Sequence, residues 1–529
     1  MTKAFAAGFA VLAALLLGTF AGAARASGNF DCDEAWSLCA EPMNSIGYAG
    51  TYTGHDEPSL LWYSSTPGSG NSSLYRLQLP VDPRVMPNQS GTGGTWNFQL
   101  HPTFWLGMAL CDNQSGPEFT HAPCVPDSDT NIADGSDPAA PDYIGRHSGT
   151  AFLELQFYPP GWVSWPPGVS CDAHKWCAAM AIFSFNSDMN NGINNNADCL
   201  NTVGIEPVNF AFVTLSGSPH APPSPLGATN DTFTPHASSD LFMNPGDNLL
   251  VDIHDGADGL TAVIHDQTTG QSGSMTASAA NGFAQVNFEP NAGTCSQSPY
   301  DFRPMYSTSS EHTRVPWAAH SYNVAFSDEI GHFHYCASVP VEGGPCADPG
   351  SPPDLAACFS AEASLLVPVG GCLATDNDFD GASYQDVWPG SDPNRGQDRK
   401  LHSTSILFRS PLFNGTTNYE RVAFEADLPR IEAADFGGNC NRSTGENCVN
   451  PPPGAQFYPI YTTGAAPGHG PCLWQFGGTN LKGTTNTFGG DSTAEYGPLL
   501  LSNYPGAGFT PILRFNNFRQ VLDHNPCQS

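Results

Sequence analysis

The fold class of this chain is decided by the stretch Asn244-Pro-Gly-Asp-Asn-Leu-Leu-Val-Asp-Ile-His254 and by Leu260-Thr-Ala-Val-Ile-His265, which follows it. In both segments apolar residues alternate with polar ones, as in β-strands that have one face in water. Pro-Gly-Asp, Gly-Ala-Asp-Gly and Thr268-Thr-Gly-Gln-Ser272 stand before, between and after the segments, and such residues form turns. The stretch therefore predicts two consecutive antiparallel hairpins.

The same strand pattern recurs along the chain. It is found at residues 151–158, 207–214, 320–326 and 419–425, each rich in β-branched or aromatic residues. Long helices are not expected, because 55 Gly and 47 Pro introduce turns at short intervals. The sequence predicts an all-β protein with two or more antiparallel β-sandwich or jelly-roll domains.

Residues 1–26 have the organisation of a secretory signal peptide. Lys3 precedes an apolar stretch over residues 4–24, and Ala24-Arg-Ala26 is a small-x-small cleavage site. All 16 cysteines follow this site, and an even number of cysteines in an exported chain predicts a disulfide framework. We expect a secreted, disulfide-stapled protein. Three close pairs would each close a short loop: Cys32/Cys39, Cys111/Cys124 and Cys440/Cys448.

The charge of the chain limits its partners. Only 13% of the residues are charged, yet the formal net charge is −32. Because binding to phosphate requires clustered Lys and Arg, nucleic acid is excluded as a partner and an anionic membrane surface is disfavoured. No second long apolar stretch follows the signal peptide, so we expect no membrane span in the mature chain. The expected partner is an extracellular polymer, either a polysaccharide or a protein.

The length of the chain predicts more than one domain, since a single core rarely serves so many residues. A stretch rich in Pro and Gly at residues 341–356 is the best candidate for a linker. It would divide a large N-terminal β-sandwich region at 27–340, which could hold two packed sandwiches, from a C-terminal β domain at 357–529.

The chain resembles a large family of exported proteins of actinobacteria and other soil bacteria. The motifs that carry this resemblance are Gly54-His-Asp-Glu-Pro58, Leu155-Gln-Phe-Tyr-Pro-Pro160, Glu329-Ile-Gly-His-Phe333 and Thr493-Ala-Glu-Tyr-Gly497. The resemblance implies export and carries no established activity.

A local resemblance concerns the hairpin stretch itself. Asn244-Pro-Gly-Asp247 and Ala262-Val-Ile-His-Asp-Gln-Thr-Thr-Gly-Gln-Ser272 resemble the core hairpins of the eqolisins, acid peptidases built on a β-sandwich. The resemblance implies a Gln and a Glu on one concave face. Gln156 is a loose match to that Gln, and the Glu-bearing strand of the family has no clear counterpart in this chain.

Glu154 and Gln156 are the leading candidates for catalysis. They stand two positions apart in a predicted strand, so their side chains point to the same face. Glycoside hydrolysis needs a second carboxylate, and Glu329 is our candidate, with Glu206 and Asp328 as further possibilities. In the alternative interpretation, Glu154 and Gln156 line a solvated sheet face.

An aromatic stretch follows these residues, and it predicts how a substrate would be held. Phe157-Tyr-Pro-Pro-Gly-Trp162-Val-Ser-Trp165 places rings beside a carboxylate and an amide, as in sites that bind sugar rings. Tyr158, Trp162 and Trp165 are therefore the predicted substrate-binding residues. Packing of the same rings in the core is the alternative.

Two stretches are candidates for metal binding. His332 and His334 would lie on one strand face, and neutral imidazoles suit Zn or Cu. The third ligand would be His320, His312 or Met305. A copper oxidase is therefore one alternative function, and two structural histidines without a metal are the alternative to a metal site.

The second stretch contains Asp376, Asp378 and Asp380, followed by Gly381, which is the opening half of a calcium loop. Its twelfth position is Val387 rather than a Glu, so we expect a structural Ca²⁺ in a loop, or a bare turn, rather than an EF-hand.

Together these patterns favour a secreted carboxylate-dependent hydrolase of an extracellular polymer, first of all a glycan. An acid peptidase of the glutamic type is one alternative. A non-enzymatic protein that binds glycans or adheres to a matrix is the other.

Overall fold

The structure is a computed structural model that describes many separate parts of the chain. These are residues 57–63, 72–81, 104–111, 151–158, 160, 171–172, 174–184, 186–188, 193–304, 317–320, 404, 406–409, 412–413, 417–419, 421–428, 460–462, 473–476, 486–488, 500–502, 513–521, 525 and 527.

The described residues form mainly β-strands, with one short α-helix, α1 (Ala197–Val203), and two 3₁₀ turns at Asn230–Phe233 and Ala279–Asn281. The strands in chain order are β1 (Glu57–Tyr63), β2 (Ser72–Gln78), β3 (Phe104–Cys111), β4 (Ala151–Tyr158), β5 (Cys177–Phe183), β6 (Ser187–Asp188), β7 (Ile193–Asn194), β8 (Val208–Phe212), β9 (Asn248–Gly256), β10 (Gly259–Asp266), β11 (Ser272–Ala277), β12 (Ala284–Val286), β13 (Gln297–Pro299), β14 (Arg303–Pro304), β15 (Trp317–His320), β16 (Ile406–Arg409), β17 (Leu412–Phe413), β18 (Thr417–Asn418), β19 (Arg421–Leu428), β20 (Ile460–Thr462), β21 (Leu473–Phe476), β22 (Asn486–Phe488), β23 (Leu500–Ser502) and β24 (Leu513–Val521). No helix in these parts of the chain is long and apolar enough to cross a membrane.

Most of these strands belong to two large antiparallel sheets. The first sheet has the order β23-β24-β19-β1-β15-β3-β4-β5-β8, with β14 also paired to β3. The second sheet has the order β11-β10-β9-β2-β16-β21-β20-β22. The remaining strands form two-stranded ribbons. The prediction of an antiparallel, predominantly β protein is confirmed.

The strand predictions from alternation are close to the observed elements. The segment at 151–158 is β4 itself, and the two segments of the hairpin stretch lie within β9 and β10, which pair along their length. The next hairpin joins β10 to β11. Of the predicted strand at 320–326, only His320, the last residue of β15, lies within the described residues.

Strand pairing connects residues on both sides of the predicted linker. In the first sheet β1 pairs with β19, and in the second sheet β2 pairs with β16. The linker at 341–356 and the signal peptide at 1–26 lie outside the described residues, so the division of the chain at the linker stays a prediction.

Side chains of both large sheets contribute to one apolar core. Alternate residues of β4, including Leu153 and Leu155, point into it from the first sheet, and Val251 of β9 points into it from the second. The ring of Trp62, in β1, meets the ring of Trp474, in β21, edge to face with centroids 6.0 Å apart. Complete burial of a large apolar side chain contributes about 1.5–3 kcal/mol, so this shared core is the main stabilising feature.

The first sheet is also buried on its other face at β4, β5 and β8. A second apolar cluster lies on this face and includes Tyr158 of β4 and Phe210 and Phe212 of β8. Strands covered on both faces are apolar at nearly every position, which explains the continuous sequence Cys-Ala-Ala-Met-Ala-Ile-Phe of β5.

Disulfides are present, as predicted. Cys171 is bonded to Cys177 at the start of β5, and Cys199 in α1 is bonded to Cys295. The second bond closes a loop of sequence separation 96. In the chain-entropy model such a loop stabilises the fold by roughly 4–5 kcal/mol. The three predicted close pairs include cysteines outside the described residues and stay predictions.

Candidate functional site

Three of the predicted site residues meet on one face of β4. The amide Nε2 of Gln156 donates a hydrogen bond to Oε2 of Glu154 at 2.6 Å. The hydroxyl of Tyr158 donates to Oε1 of the same amide. The three side chains therefore form a hydrogen-bonded chain that orients the amide, with its NH₂ group toward the carboxylate. We call this group the carboxylate chain.

The carboxylate chain is buried. Glu154 is 9% exposed, Gln156 is 2% exposed and Tyr158 is fully enclosed. The alternative interpretation, a solvated sheet face, is therefore wrong. Its failure has a physical cause, because alternation within β4 does not reveal the apolar side chains that project from the neighbouring strands on the same face, among them Phe210 and Phe212 of β8.

Small residues in the neighbouring strands make room for Glu154. It lies opposite Gly107 of β3 and Ala181 of β5. A Cβ atom on Gly107 would lie 2.4 Å from the ring of Trp105 and 2.6 Å from that of Phe152, which meet edge to face with centroids 5.3 Å apart. Two aromatic rings thus occupy the space above Gly107, directly beside the carboxylate.

Burial and charge act together on Tyr158. Removal of the phenol from water raises its pKa, and the nearby negative charge of Glu154 raises the pKa further. The hydroxyl therefore keeps its proton at physiological pH and remains a donor to Gln156. This fixes the amide in the orientation that serves an ionised Glu154.

The other predicted site residues are not brought to this site by the described structure. Glu206 lies before β8, two strands away from β4. The remaining predicted residues lie outside the described residues, and their roles stay predictions: Trp162, Trp165, Asp328, Glu329, His332, His334, Asp376, Asp378 and Asp380. Among the residues that are described, no group of three or more His, Cys, Asp or Glu side chains is arranged to hold a metal ion.

A cluster of histidines and aspartates was missed by the sequence analysis. His220 contacts Oδ1 of Asp240 through Nδ1 at 2.8 Å and the carbonyl oxygen of Asp231 through Nε2 at 3.0 Å. Nε2 of His236 lies 2.9 Å from Oδ1 of Asp231. The two imidazole rings stack, with centroids 4.1 Å apart. We call these four residues the histidine pair cluster.

The hydrogen bonds of His220 define its charge. Both ring nitrogens face acceptors, and only the imidazolium form has a proton on each nitrogen. Accordingly, the hydrogen bond to Asp240 raises the pKa of His220, against the opposing effect of burial. Asp240 is enclosed, so the pair is a charged contact with little access to water.

The histidine pair cluster adjoins the face that carries the carboxylate chain. The ring of His220 stacks on Phe212 with centroids 5.7 Å apart, and Phe212 in turn lies 6.4 Å from the ring of Tyr158. A signal in the sequence could have revealed the cluster, because Ser218-Pro-His-Ala221 is repeated as Thr234-Pro-His-Ala237.

Two buried carboxyl groups stand side by side in the turns of the hairpin stretch. Burial raises the pKa of Asp247, and the neighbouring Asp266 raises it further, although hydrogen bonds from Asn244 act in the opposite direction. Burial also opposes ionisation of Asp266, but hydrogen bonds from Thr269 and Asp247 outweigh it and lower the pKa. On titration Asp247 therefore keeps its proton to a higher pH than Asp266 does.

Comparison with known proteins gives no relative for this arrangement: no protein-family model, no curated protein and no solved structure matches the chain.

Proposed function

We propose that this chain is a carboxylate-dependent hydrolase of an extracellular polymer, with Glu154 as the group that exchanges a proton with the substrate. The observation that carries the proposal is the carboxylate chain, in which Gln156 and Tyr158 hold Glu154 in one orientation. A positioned carboxylate is the minimum that acid–base hydrolysis requires.

Each member of the chain has a defined task in this proposal. Glu154 takes a proton from the attacking water and returns it to the leaving group. Gln156 donates an N–H to Glu154 and so orients the carboxylate. Tyr158 is a positioning residue, because its hydroxyl prevents the amide from turning its oxygen toward the carboxylate.

A peptide bond is the substrate that this geometry favours. The resemblance to the glutamic acid peptidases implies one Glu and one Gln on a concave face, and in this proposal Glu154 and Gln156 supply them from a single strand. Glycoside hydrolysis needs two carboxylates flanking the scissile bond. Within β4 and the two strands that flank it, β3 and β5, Glu154 is the single carboxylate residue.

A glycan is the second candidate substrate. It is supported by the rings of Trp105 and Phe152 beside the carboxylate and by the aromatic sequence at 157–165. In this version of the proposal Trp162 and Trp165 hold the sugar, and Glu329 supplies the second carboxylate.

The proposal includes the setting in which the enzyme works. We infer a β-sandwich from the core that the two large sheets share, and we infer secretion from the disulfides together with the signal-peptide pattern. We also propose a structural Ca²⁺ at Asp376, Asp378 and Asp380. Metal analysis of the purified protein tests this ion, and the same measurement tests a metal at His332 and His334.

The experiment is a product assay on two substrate classes. The purified chain is incubated at about pH 3–6, in the range where carboxyl groups exchange protons, with a denatured protein and with a panel of polysaccharides. We expect peptide release that Glu154→Gln lowers at least about 100-fold, which is typical for loss of a general acid or base. The matched control is Asp252→Asn, which makes the same chemical change on β9 of the second sheet and should leave the rate unchanged.

The other outcomes of the assay are equally informative. Release of reducing ends that depends on Glu154 would assign the activity to glycans instead. Full activity of a folded Glu154→Gln protein would remove Glu154 from the mechanism. Absence of product from both substrate classes, with retention on insoluble polymers, would replace the hydrolase by a binding or adhesion protein.

A further inference from the structure

The outward face of the second sheet carries two neighbouring arginines. In β2 the side chains of Tyr75 and Leu77 point into the core, so Arg76 points outward. In β16 Phe408 points into the core, and Arg409 points outward. The register pairs Arg76 with Leu407 and Arg409 with Leu74, which makes the two arginines diagonal neighbours across adjacent strands.

Both arginines are exposed, and neither forms an ion pair with any residue that the structure describes. This is unexpected in a chain with 18 basic and 50 acidic residues, where a carboxylate partner is easily found. Arg303, for comparison, contacts Asp255 at 2.9 Å. Two unpaired guanidinium groups side by side repel each other, and a bound anion would remove that repulsion.

The surroundings of the two arginines define a surface. Leu250 of β9 lies between Arg76 and His265 of β10, since the register pairs it with both. Nδ1 of His265 lies 2.7 Å from Oγ of Ser272 in β11. The negative charge of Asp252, on the same face, is engaged by His254 at 3.2 Å. We call this surface the arginine face; it consists of Leu74, Arg76, Leu250, His265, Leu407 and Arg409.

We propose that the arginine face binds an acidic polysaccharide, that is, a polymer whose sugars carry carboxylate groups. Guanidinium groups bind carboxylates through two parallel hydrogen bonds, which gives both strength and orientation. The half-buried Leu74, Leu250 and Leu407 between the charges offer an apolar surface to the faces of the sugar rings.

The position of the arginines favours a polysaccharide over an acidic peptide. Within the sheet, the backbone N–H and C=O groups of β2, β9 and β16 form the hydrogen bonds between paired strands. An extended peptide binds best to a free sheet edge, where its own backbone groups find partners. A polysaccharide has no such requirement and can bind to side chains alone.

The negative charge of the whole chain does not prevent this binding at ordinary ionic strength. At about 0.1 M salt, interactions between exposed charges are screened beyond about 10 Å. Carboxylates farther away than this therefore contribute little to the electrostatic potential at the arginine face. Contacts between a guanidinium group and a carboxylate at hydrogen-bond distance persist. The inference does not depend on hydrolysis, because it concerns a different sheet from the one that carries Glu154.

The test measures binding of the full chain to polygalacturonate at about 0.1 M salt, with dextran as the neutral polymer and polyglutamate as the acidic peptide. We expect binding to polygalacturonate and none to dextran. Arg76→Gln and Arg409→Gln should each weaken binding about fivefold, and the double variant about 25-fold, as expected for independent charge-assisted contacts. The matched control is Lys175→Gln, which removes one positive charge just before β5 of the first sheet and should change affinity less than twofold.

Three results would overturn the proposal. The first is unchanged affinity of a folded double variant. The second is equal binding to dextran, which would show that charge is not recognised. The third is tighter binding to polyglutamate than to polygalacturonate, which would assign the surface to acidic peptides. Retained activity of the arginine variants in the product assay separates this inference from the hydrolase proposal.

Discussion

The carboxylate chain and the histidine pair cluster lie along the same face of the first sheet, yet they bury charge in different ways. Among the residues that the structure describes, Glu154 accepts a hydrogen bond from the amide of Gln156, which accepts one from the phenol of Tyr158. Asp240 is held by a positive partner, the imidazolium of His220. A carboxylate that is held by a neutral amide is easier to protonate than one that is paired with a cation, because the cation stabilises the ionised form.

The largest effect on stability is expected from removal of the carboxylate of the histidine pair cluster. Asp240→Asn leaves the imidazolium of His220 without its counter-ion, and loss of one partner of a buried ion pair costs about 3–5 kcal/mol. We expect this loss in the free energy of unfolding, measured by urea denaturation. The double variant Asp240→Asn with His220→Gln should recover much of it, because no uncompensated charge remains. A single variant as stable as the wild type would show that the pair does not carry charge.

The corresponding change in the carboxylate chain should have a smaller effect on stability and a larger one on activity. Tyr158→Phe removes the donor to Oε1 of Gln156, and an unsatisfied buried acceptor costs about 1–3 kcal/mol. In the product assay we also expect a lower rate at every pH, because the amide is no longer fixed. Combination with Gln156→Met separates the two contributions, since Tyr158→Phe should be nearly neutral once the amide is gone. A rate equal to that of the wild type would show that Tyr158 does not position the amide for catalysis.

The contributions of His220 and Tyr158 to stability should depend on pH in different ways. The pKa of His220 is raised in the folded state, so its contribution is complete below the ordinary pKa of histidine and is lost as the pH rises through the raised value. The difference in melting temperature between wild type and His220→Gln should therefore shrink from about pH 6 toward pH 9. The difference between wild type and Tyr158→Phe should stay constant over this range, because the pKa of Tyr158 is raised well above it. A His220 difference that grows with pH would contradict the charged form.

The smallest effect is expected at the exposed side of the histidine pair cluster. Side chains of His236 and Asp231 are 36% and 56% exposed, so solvent screens their contact. We expect His236→Gln to change the free energy of unfolding by less than about 1 kcal/mol, which is the upper range for an exposed contact between charged or polar side chains. Urea denaturation in parallel with Asp240→Asn provides the contrast. A loss as large as that of Asp240→Asn would mean that the stacked ring, rather than the ion pair, stabilises this segment.

Alternation in the sequence predicted the strands that lie in continuous antiparallel pairs. β4, β9 and β10 were found because their apolar residues recur at every second position, and the same rule placed Glu154 and Gln156 on one face. The rule is local, so it could not show that a second apolar cluster forms on that face. For the same reason it could not show that β1 pairs with β19, some 360 positions later in the chain.

The histidine pair cluster shows a second limit. His220 and Asp240 are 20 positions apart, and their contact depends on how the intervening segment folds back on Phe212. The repeated Ser/Thr-Pro-His-Ala sequence indicates the two histidines but does not predict which residues they contact. Sequence reasoning can therefore find residues that share a strand, while contacts made by loops require the structure.

The bond between Cys199 and Cys295 has a practical consequence for anyone who handles this protein. A protease that cuts the chain once between these two residues leaves fragments that remain covalently joined. On a denaturing gel without reductant the nicked protein would migrate as a single band, and only reduction would reveal the cut. Preparations should therefore be compared with and without reductant before a change in activity is attributed to a substitution.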